Sequence, residues 1–272
     1  MSSGTTCAIV PVKVLAHAKR RLSSVLPDAA RQRLVLAMLE DVLAALVGAR
    51  GVDWIAVVTA DQRVAVLAQR HGASVLPEPG PDFGSGLEPG VEGGLGHEPR
   101  SDLGPQLGQQ AGPVPPELPR QQPGFAALNA AIASGLAYAC SRGARRVLVL
   151  PADVPLTSSS ELETLLQSRG EQVGVTLAPS HDNDGTNGLL LAPPLAIAPC
   201  YGPGSYLRHV SSAMARRVDV NVVHLEGLAR DIDEPDDLLR LLGDAGARKR
   251  YAFIAPYRIA SQVQPTPQGN GQ

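Results

Sequence analysis

The chain predicts an α/β fold, a mostly parallel sheet with helices on both faces, and two features of its patterning carry that expectation. Short, continuous apolar runs at Cys7–Pro11, Trp54–Thr59 and Arg146–Leu150 have the length and lack of alternation of strands buried on both sides. Segments with apolar residues three and four apart lie between such runs. Strand and helix therefore alternate, which in one sheet implies right-handed crossovers.

The elements follow in order. Pro27-Asp28 starts a helix in which Leu34, Met38, Val42, Ala45 and Leu46 recur at helical spacing, and Gly48 and Gly51 close it. After the Trp54 strand, Asp61 to Arg70 reads as a helix and Ala73–Leu76 as a short strand. The pattern then stops: between Pro79 and Gly124, 21 of 46 residues are Gly or Pro, too few apolar groups to offset ordering entropy. A flexible insertion is expected over 79–124. Order resumes with a small-residue helix from Phe125 to Tyr138, suited to close packing on a sheet, followed by the strand ending at Leu150. Val173–Ala178 and Gly188–Ala192 predict two further strands separated by a polar loop. Ser205–Ala215 predicts a helix, Val220–His224 a strand and Pro235–Leu242 a closing helix. One domain is expected over 1–244, with a frayed, disordered tail over 245–272. Within that tail, Arg248-Lys249-Arg250 reads as a solvated charge run.

Composition excludes several classes. With 24 basic and 26 acidic residues and a formal charge of -2, the chain is not a general nucleic-acid binder. No apolar run approaches the ~18 residues that would span a bilayer, and the N-terminal stretch is broken by Pro11 and Lys13, unlike a signal peptide. Cys7, Cys140 and Cys200 are far apart and lack CxxC spacing, so neither a disulfide framework nor a zinc site is expected. The expected setting is cytoplasmic.

Five groups of residues carry chemistry. Lys13, Lys19, Arg20 and Arg21 follow the first strand in one loop. In an open α/β sheet this is the position that lines the ligand crevice, and cations there suit a phosphorylated ligand. A solvated basic turn is the plainer alternative. Asp153 follows the Val147–Leu150 strand in a loop braced by Pro151 and Pro155, so its carboxylate is aimed. It suits Mg²⁺, a hard cation that takes carboxylate and phosphate oxygens. The alternative is a cap for the next helix, for which Thr157 or Ser158 is better placed. Alternation across Ile232 puts Asp231 and Asp233 on one side of an extended segment, whereas Glu234, Asp236 and Asp237 complement a helix dipole. The Asp182–Gly188 loop, containing Thr186, offers short donors for a phosphate or carboxylate, or is simply a hairpin turn. Gly202 and Gly204 permit close backbone approach, Ser205 begins a helix, and Arg208 and His209 one turn in would add charge.

These residues, Pro11-Val-Lys13, Ala18-Lys19-Arg-Arg-Leu22, Leu128-Asn129-Ala-Ala131, Pro151-Ala-Asp153-Val-Pro-Leu156, Gly185-Thr186-Asn187, Gly202-Pro-Gly-Ser205 and Asp231-Ile-Asp233-Glu-Pro235, follow one another in the order of a known family. The chain resembles the phosphoenolpyruvate and 2-phospho-L-lactate guanylyltransferases of coenzyme F-420 biosynthesis, within the molybdenum-cofactor-type nucleotidyltransferases of Rossmann-like fold. The resemblance covers about residues 7–80 and 125–242. It implies that a small phospho-acid attacks the α-phosphorus of GTP and displaces pyrophosphate, with phosphoenolpyruvate the typical bacterial acceptor. Lys13, Lys19 and Arg21 would then steady the phosphates, and Pro11, Lys13 and Asn129 would seat the nucleotide. Asp153 with Asp231 or Asp233 would hold Mg²⁺, and Thr186, Gly202 and Ser205 would bind the phospho-acid. The resemblance also leaves room for 2-phospho-L-lactate or 3-phospho-D-glycerate as acceptor, and for hand-off to the downstream deazaflavin transferase. A molybdenum-cofactor nucleotidyltransferase is a poorer match, because Pro11-Val-Lys13 stands where that group carries a Gly-rich loop. A non-catalytic nucleotide-binding module is opposed by the intact aspartates. Two departures stand out: the long insertion and the extension beyond Leu242.

Overall fold

The computed structural model describes residues 5–80, 123–170 and 172–257. Its centre is one seven-stranded sheet in the order β3-β2-β1-β4-β6-β5-β7. The strands are β1 (Thr6–Pro11), β2 (Trp54–Val58), β3 (Ser74–Leu76), β4 (Arg146–Val149), β5 (Gly174–Pro179), β6 (Thr186–Ala192) and β7 (Val220–Val222). The β3-β2-β1-β4 half and the β5–β7 pair are parallel. β6 runs antiparallel to both its neighbours, because the loop before it is a tight hairpin closed by Ser180 N–H donating to the Gly185 carbonyl. The hairpin alternative for that loop is the one the chain adopts.

Alternation along β1 divides the core. Ala8 and Val10 face α1 (Asp28–Gly48), while Cys7 and Ile9 face α3 (Pro123–Ser141). α3 lies close because residue 135 is glycine: a Cβ there would come within 2.7 Å of Ile9 Cγ2. α3 is also long and apolar enough, by length and composition, to cross a bilayer, where the sequence reading found no such run. Its Ala131, Ile132, Leu136 and Ala139 are buried against the sheet. The remaining helices are α2 (Gln62–Arg70), α4 (Ser159–Gln167), α5 (Ser205–Ala215), α6 (Pro235–Gly243) and α7 (Ala245–Arg250). Ser158 caps α4 in a reciprocal box with Glu161, and Glu234 caps α6 with Asp237.

The insertion expected over 79–124 lies outside the described residues except at its margins. The expected tail needs correction over its first part. Residues 245–257 form α7 and a 3-10 turn (Ala252–Tyr257), because Tyr251 and Ile254 give this segment apolar anchors that the Gln/Pro/Gly content of the tail as a whole obscures. Both side chains are fully buried. Nor is Arg250 part of a solvated run: it reaches Glu40 at 2.6 Å and Asp41 at 2.9 Å on α1, beside a Tyr251 hydroxyl that donates to Asp41. Residues 258–272 lie outside the described residues. Emptying this anchor is expected to cost stability without disturbing the carboxyl ends of the parallel strands. Ile254→Ala should lower the unfolding free energy by about 2–5 kcal/mol in denaturant titrations.

Candidate active site

β1 pairs with β2 on one side and β4 on the other, so the strand order reverses between β1 and β4. The carboxyl ends of these two strands open the crevice in which α/β sheets bind ligands. The loop after β1 brings the cations there and the loop after β4 brings Asp153. Two supports fix the first loop. Asp61, the N-cap of α2, accepts from Leu15 N–H at 3.1 Å, and the buried Arg31 guanidinium donates to the Ala18 and Lys19 carbonyls at 3.1 and 3.4 Å. The chain turns at Lys19 with φ +48°, a left-handed backbone that costs a non-glycine residue about 1–2 kcal/mol. That turn aims its side chain inward.

Lys19 Nζ lies 2.6 Å from Asp153 Oδ2 and 2.6 Å from Asp233 Oδ1. The third carboxylate arrives with them, because Ile232 N–H donates to the Asp153 carbonyl at 2.9 Å and buries its own side chain. Asp231 lies close enough to Asp153 and Asp233 to feel both charges, although only the latter two line the cavity with Lys19. Asn187 Nδ2 donates to Asp231 Oδ1 at 3.0 Å. Burial, with repulsion from Asp153 and Asp233, pushes the Asp231 carboxyl up to about 6, and the Asn187 bond offsets only part of this. Burial also pushes Asp233 up, but Lys19 and Arg21 outweigh it and hold it below the usual carboxylate range. The same pair of aspartates outweighs burial at Lys19 and raises its ammonium further.

A cavity of about 390 Å³ collects Pro11, Lys13, Lys19, Arg20, Arg21, Asp153 and Asp233 on its walls, floored by Phe125, Leu128 and Tyr201. Lys13 Nζ donates to the Gly124 carbonyl at 2.9 Å and lies 5.9 Å from the Phe125 ring centroid, joining the cationic loop to the start of α3. Arg21 meets Glu234 at 3.3 Å in an exposed pair. Asp231 stands behind this wall.

Asn129 is tied to the loop before α5. Its amide clasps the Tyr201 backbone, donating to the carbonyl at 3.1 Å and accepting from the N–H at 2.8 Å, so it fixes the loop before α5. That loop carries Gly202 at φ +128°, where a Cβ would lie 3.0 Å from both Phe125 and Arg208 Nη2. The helix N-terminus expected to receive an anion is already served. The Asp184 carboxylate accepts from Gly204 N–H with both oxygens at 3.1 Å, and its carbonyl accepts from Tyr206 N–H. The N–H groups of Asp184 and Gly185 are likewise spent on Asp182 and Ser180 side chains. Thr186 and Ser205 do come together, 3.4 Å apart and buried, with His209 against them. His209 adds no charge: burial, then the neighbouring Arg208, lower it to about 4. Arg208 does add charge. Its Nε and Nη2 are buried with no hydrogen-bond partner among the described residues. Sequence reasoning missed Arg31, Asn187 and Tyr201. Only the position of Asn187 beside Thr186 offered any signal.

The fold and this site define a nucleotidyltransferase-like protein. Among solved structures, a putative nucleotide-diphospho-sugar transferase from Desulfovibrio desulfuricans G20 superposes with TM-score 0.61 at 15% identity, covering 94% of this chain and 99% of its own. A 4-diphosphocytidyl-2C-methyl-D-erythritol synthase gives 0.52 at 14% identity, covering 90% and 100%. Sequence carries the assignment further. The family model described as "Guanylyl transferase CofC like" matches residues 6–91 and 123–271, and the chain belongs to that family. The phosphoenolpyruvate guanylyltransferase of Sphaerobacter thermophilus is 34% identical over 241 residues, 89% of this chain and 94% of that protein. The 2-phospho-L-lactate guanylyltransferase of Methanothermobacter thermautotrophicus is 30% identical over 233 residues, 86% of this chain and 82% of its own.

Lys19 also sets a pH-dependent share of stability. Asp233 is depressed in the fold, so its contribution is present above its unfolded pKa of about 3.9 and is lost as pH falls through the lower folded value. Lys19→Met removes that contribution and leaves three carboxylates facing one another. The variant should be less stable than the parent by about 1–3 kcal/mol at pH 7.5, a figure reduced for the partial exposure of both aspartates. The deficit should persist down to about pH 4 and shrink only below it, as followed by melting curves extended to more acid pH.

Proposed function

We propose that the protein transfers GMP from GTP to phosphoenolpyruvate, giving enolpyruvyl-2-diphospho-5'-guanosine and pyrophosphate, as a step in coenzyme F-420 biosynthesis. The observation that carries this reading is the single cavity whose walls join Lys13, Lys19, Arg20 and Arg21 to Asp153 and Asp233 at the switch point of the sheet. Family membership narrows the nucleotidyl donor to GTP. The phosphoenolpyruvate guanylyltransferases of Sphaerobacter thermophilus and Roseiflexus castenholzii, 34% and 35% identical, favour phosphoenolpyruvate as acceptor. The 30% identical relative named for 2-phospho-L-lactate keeps that acid as the second reading.

Lys13, Lys19 and Arg21 bind the triphosphate and the departing pyrophosphate, where Lys19 supplies a charge that its pairing with Asp153 and Asp233 holds against burial. Pro11, ending β1, shapes the wall against the nucleotide, and Asn129 contributes by holding Tyr201 and its loop in place. Thr186, Gly202 and Ser205 receive the phospho-acid, and the buried, unpartnered nitrogens of Arg208 beside Gly202 supply positive charge for it. The acceptor phosphate is already ionised at neutral pH, so no protein nucleophile is required, and catalysis is positioning with charge stabilisation.

The donor chemistry of the acidic cluster fits Mg²⁺. Its ligands would be hard carboxylate oxygens, and a cation would relieve the repulsion that Asp153 and Asp233 add to burial at Asp231. Asp153 with Asp231 or Asp233 would hold it. When bound it would polarise the α-phosphate and screen the two anions from each other. Among the described residues no group of three or more acidic, His or Cys side chains is placed to hold a metal ion, and Lys19 occupies the place between Asp153 and Asp233. The free thiols at Cys7, Cys140 and Cys200 support a cytoplasmic setting. The lability of a mixed diphosphate product supports direct hand-off to the deazaflavin transferase that consumes it.

Purified protein with Mg²⁺ should release pyrophosphate with GTP and phosphoenolpyruvate, using the downstream transferase and its deazaflavin acceptor as a trap. ATP, CTP and UTP should give little, and 2-phospho-L-lactate or 3-phospho-D-glycerate should compete poorly. Silence with all three acids would sink the reading. Asp153→Asn should lower kcat by at least ~100-fold, and full retained turnover would remove Asp153 from the metal site.

A further inference from the structure

His209 sits in α5 with no exposed surface and with both ring nitrogens engaged. Cys200 N–H points at Nε2 from 3.0 Å. A peptide N–H can only donate, so Nε2 is the bare, accepting nitrogen and the ring proton is on Nδ1. Nδ1 lies 3.0 Å from Thr186 Oγ1 and must donate to it. Ser205 Oγ donates to the same oxygen from 3.4 Å. Both lone pairs of the Thr186 hydroxyl are then taken, and its own hydrogen has no acceptor among the described residues. The Tyr201 ring packs edge-on against the imidazole, with ring centroids 5.0 Å apart.

We infer that His209 is a positioning residue: by donating to Thr186 it forces the threonine hydroxyl to act as a hydrogen-bond donor toward the anionic acceptor. The inference rests on the proposed role of Thr186 in binding the phospho-acid. Without the imidazole donor, the Thr186 hydrogen is free to turn inward, and the acceptor's oxygen meets a lone pair. The lowered basicity of His209 serves the same end, since protonation at Nε2 would oppose the Cys200 N–H. Arg208 is the charged group that faces it. Alignment through a neutral ring also explains why a histidine in this loop contributes no charge of its own.

Two substitutions separate the two ring contacts. His209→Asn retains an amide donor near the Nδ1 position, and His209→Gln retains an acceptor near Nε2. His209→Gln should raise KM for phosphoenolpyruvate about 10-fold, the scale of one hydrogen bond to a charged group, with KM for GTP changed less than twofold. His209→Asn should recover most of that loss. In a Thr186→Val background, His209→Gln should add nothing further. A purely structural role would instead move the melting temperature and both KM values together. Equal behaviour of the Asn and Gln variants, an unchanged acceptor KM, or additivity with Thr186→Val would overturn the inference. On the same samples, ¹⁵N-histidine spectra should show the Nδ1–H form down to pH 5, and an Nε2–H form would overturn it whatever the activity. A parent protein inactive on phosphoenolpyruvate removes the functional reading and the acceptor role with it. An active parent with an indifferent His209→Gln removes the role of His209 alone.

Discussion

A buried ammonium between two strand-end carboxylates organises this protein. Lys19 reaches Asp153 and Asp233 from the opposite wall of the crevice and ties the loop after β1 to the loop after β4 and to the entry of α6. Three segments distant in sequence meet at one charge. Its cost is paid locally: a left-handed backbone at Lys19, partial desolvation of the aspartates, and a third carboxylate, Asp231, left with too much negative charge around it. Neither Arg31 nor Asp61 touches the cavity, yet both are needed because they hold the turn that delivers Lys19.

Much of this architecture was legible because buried strands and switch-point loops have strong local signatures. The runs at Cys7, Trp54 and Arg146 announced their strands, and the Pro-braced Asp153 and the Asp231–Ile232–Asp233 alternation announced carboxylates that do converge. What escaped was tertiary. The antiparallel setting of β6 depends on a hairpin whose polar residues equally suited a ligand loop. The anchoring of residues 245–257 depends on two side chains, Tyr251 and Ile254, within a segment whose average composition points to fraying. Asn129, expected to seat the nucleotide, clasps Tyr201, a pairing between positions 72 residues apart that no local pattern can reveal.

The loop before α5 shows how the site divides its labour. A helix N-terminus is ordinarily the cheapest anion receptor a chain can build. Here Asp184 fills it, so the hairpin before β6 is pinned to α5 by the very donors that would have met a ligand. Under the proposed reading, recognition then falls to side chains: the Thr186 hydroxyl, which Ser205 donates to, and an Arg208 guanidinium with two buried nitrogens unpaired among the described residues. Side-chain donors have definite directions, and a hydroxyl is useful only when something fixes its hydrogen. A neutral histidine locked at both nitrogens does that without placing a second charge beside Arg208.

The resting site is thus largely self-neutralised, and this bears on how ligands enter it under the proposed reading. Lys19 is shared between aspartates and Arg21 leans on Glu234. A triphosphate arriving alone gains Lys13, Lys19 and Arg21 but brings its charge toward three carboxylates. A divalent cation arriving alone gains those carboxylates but meets the ammonium already between two of them. Each ligand removes what opposes the other, so their affinities are coupled, and reciprocally so, because linkage fixes the same factor in both directions. Lys19 is the element that both of them bias. A site built this way discriminates against a bare nucleotide or a bare cation and favours the two together, and it does so with no moving domain, only one side chain that has two sets of partners.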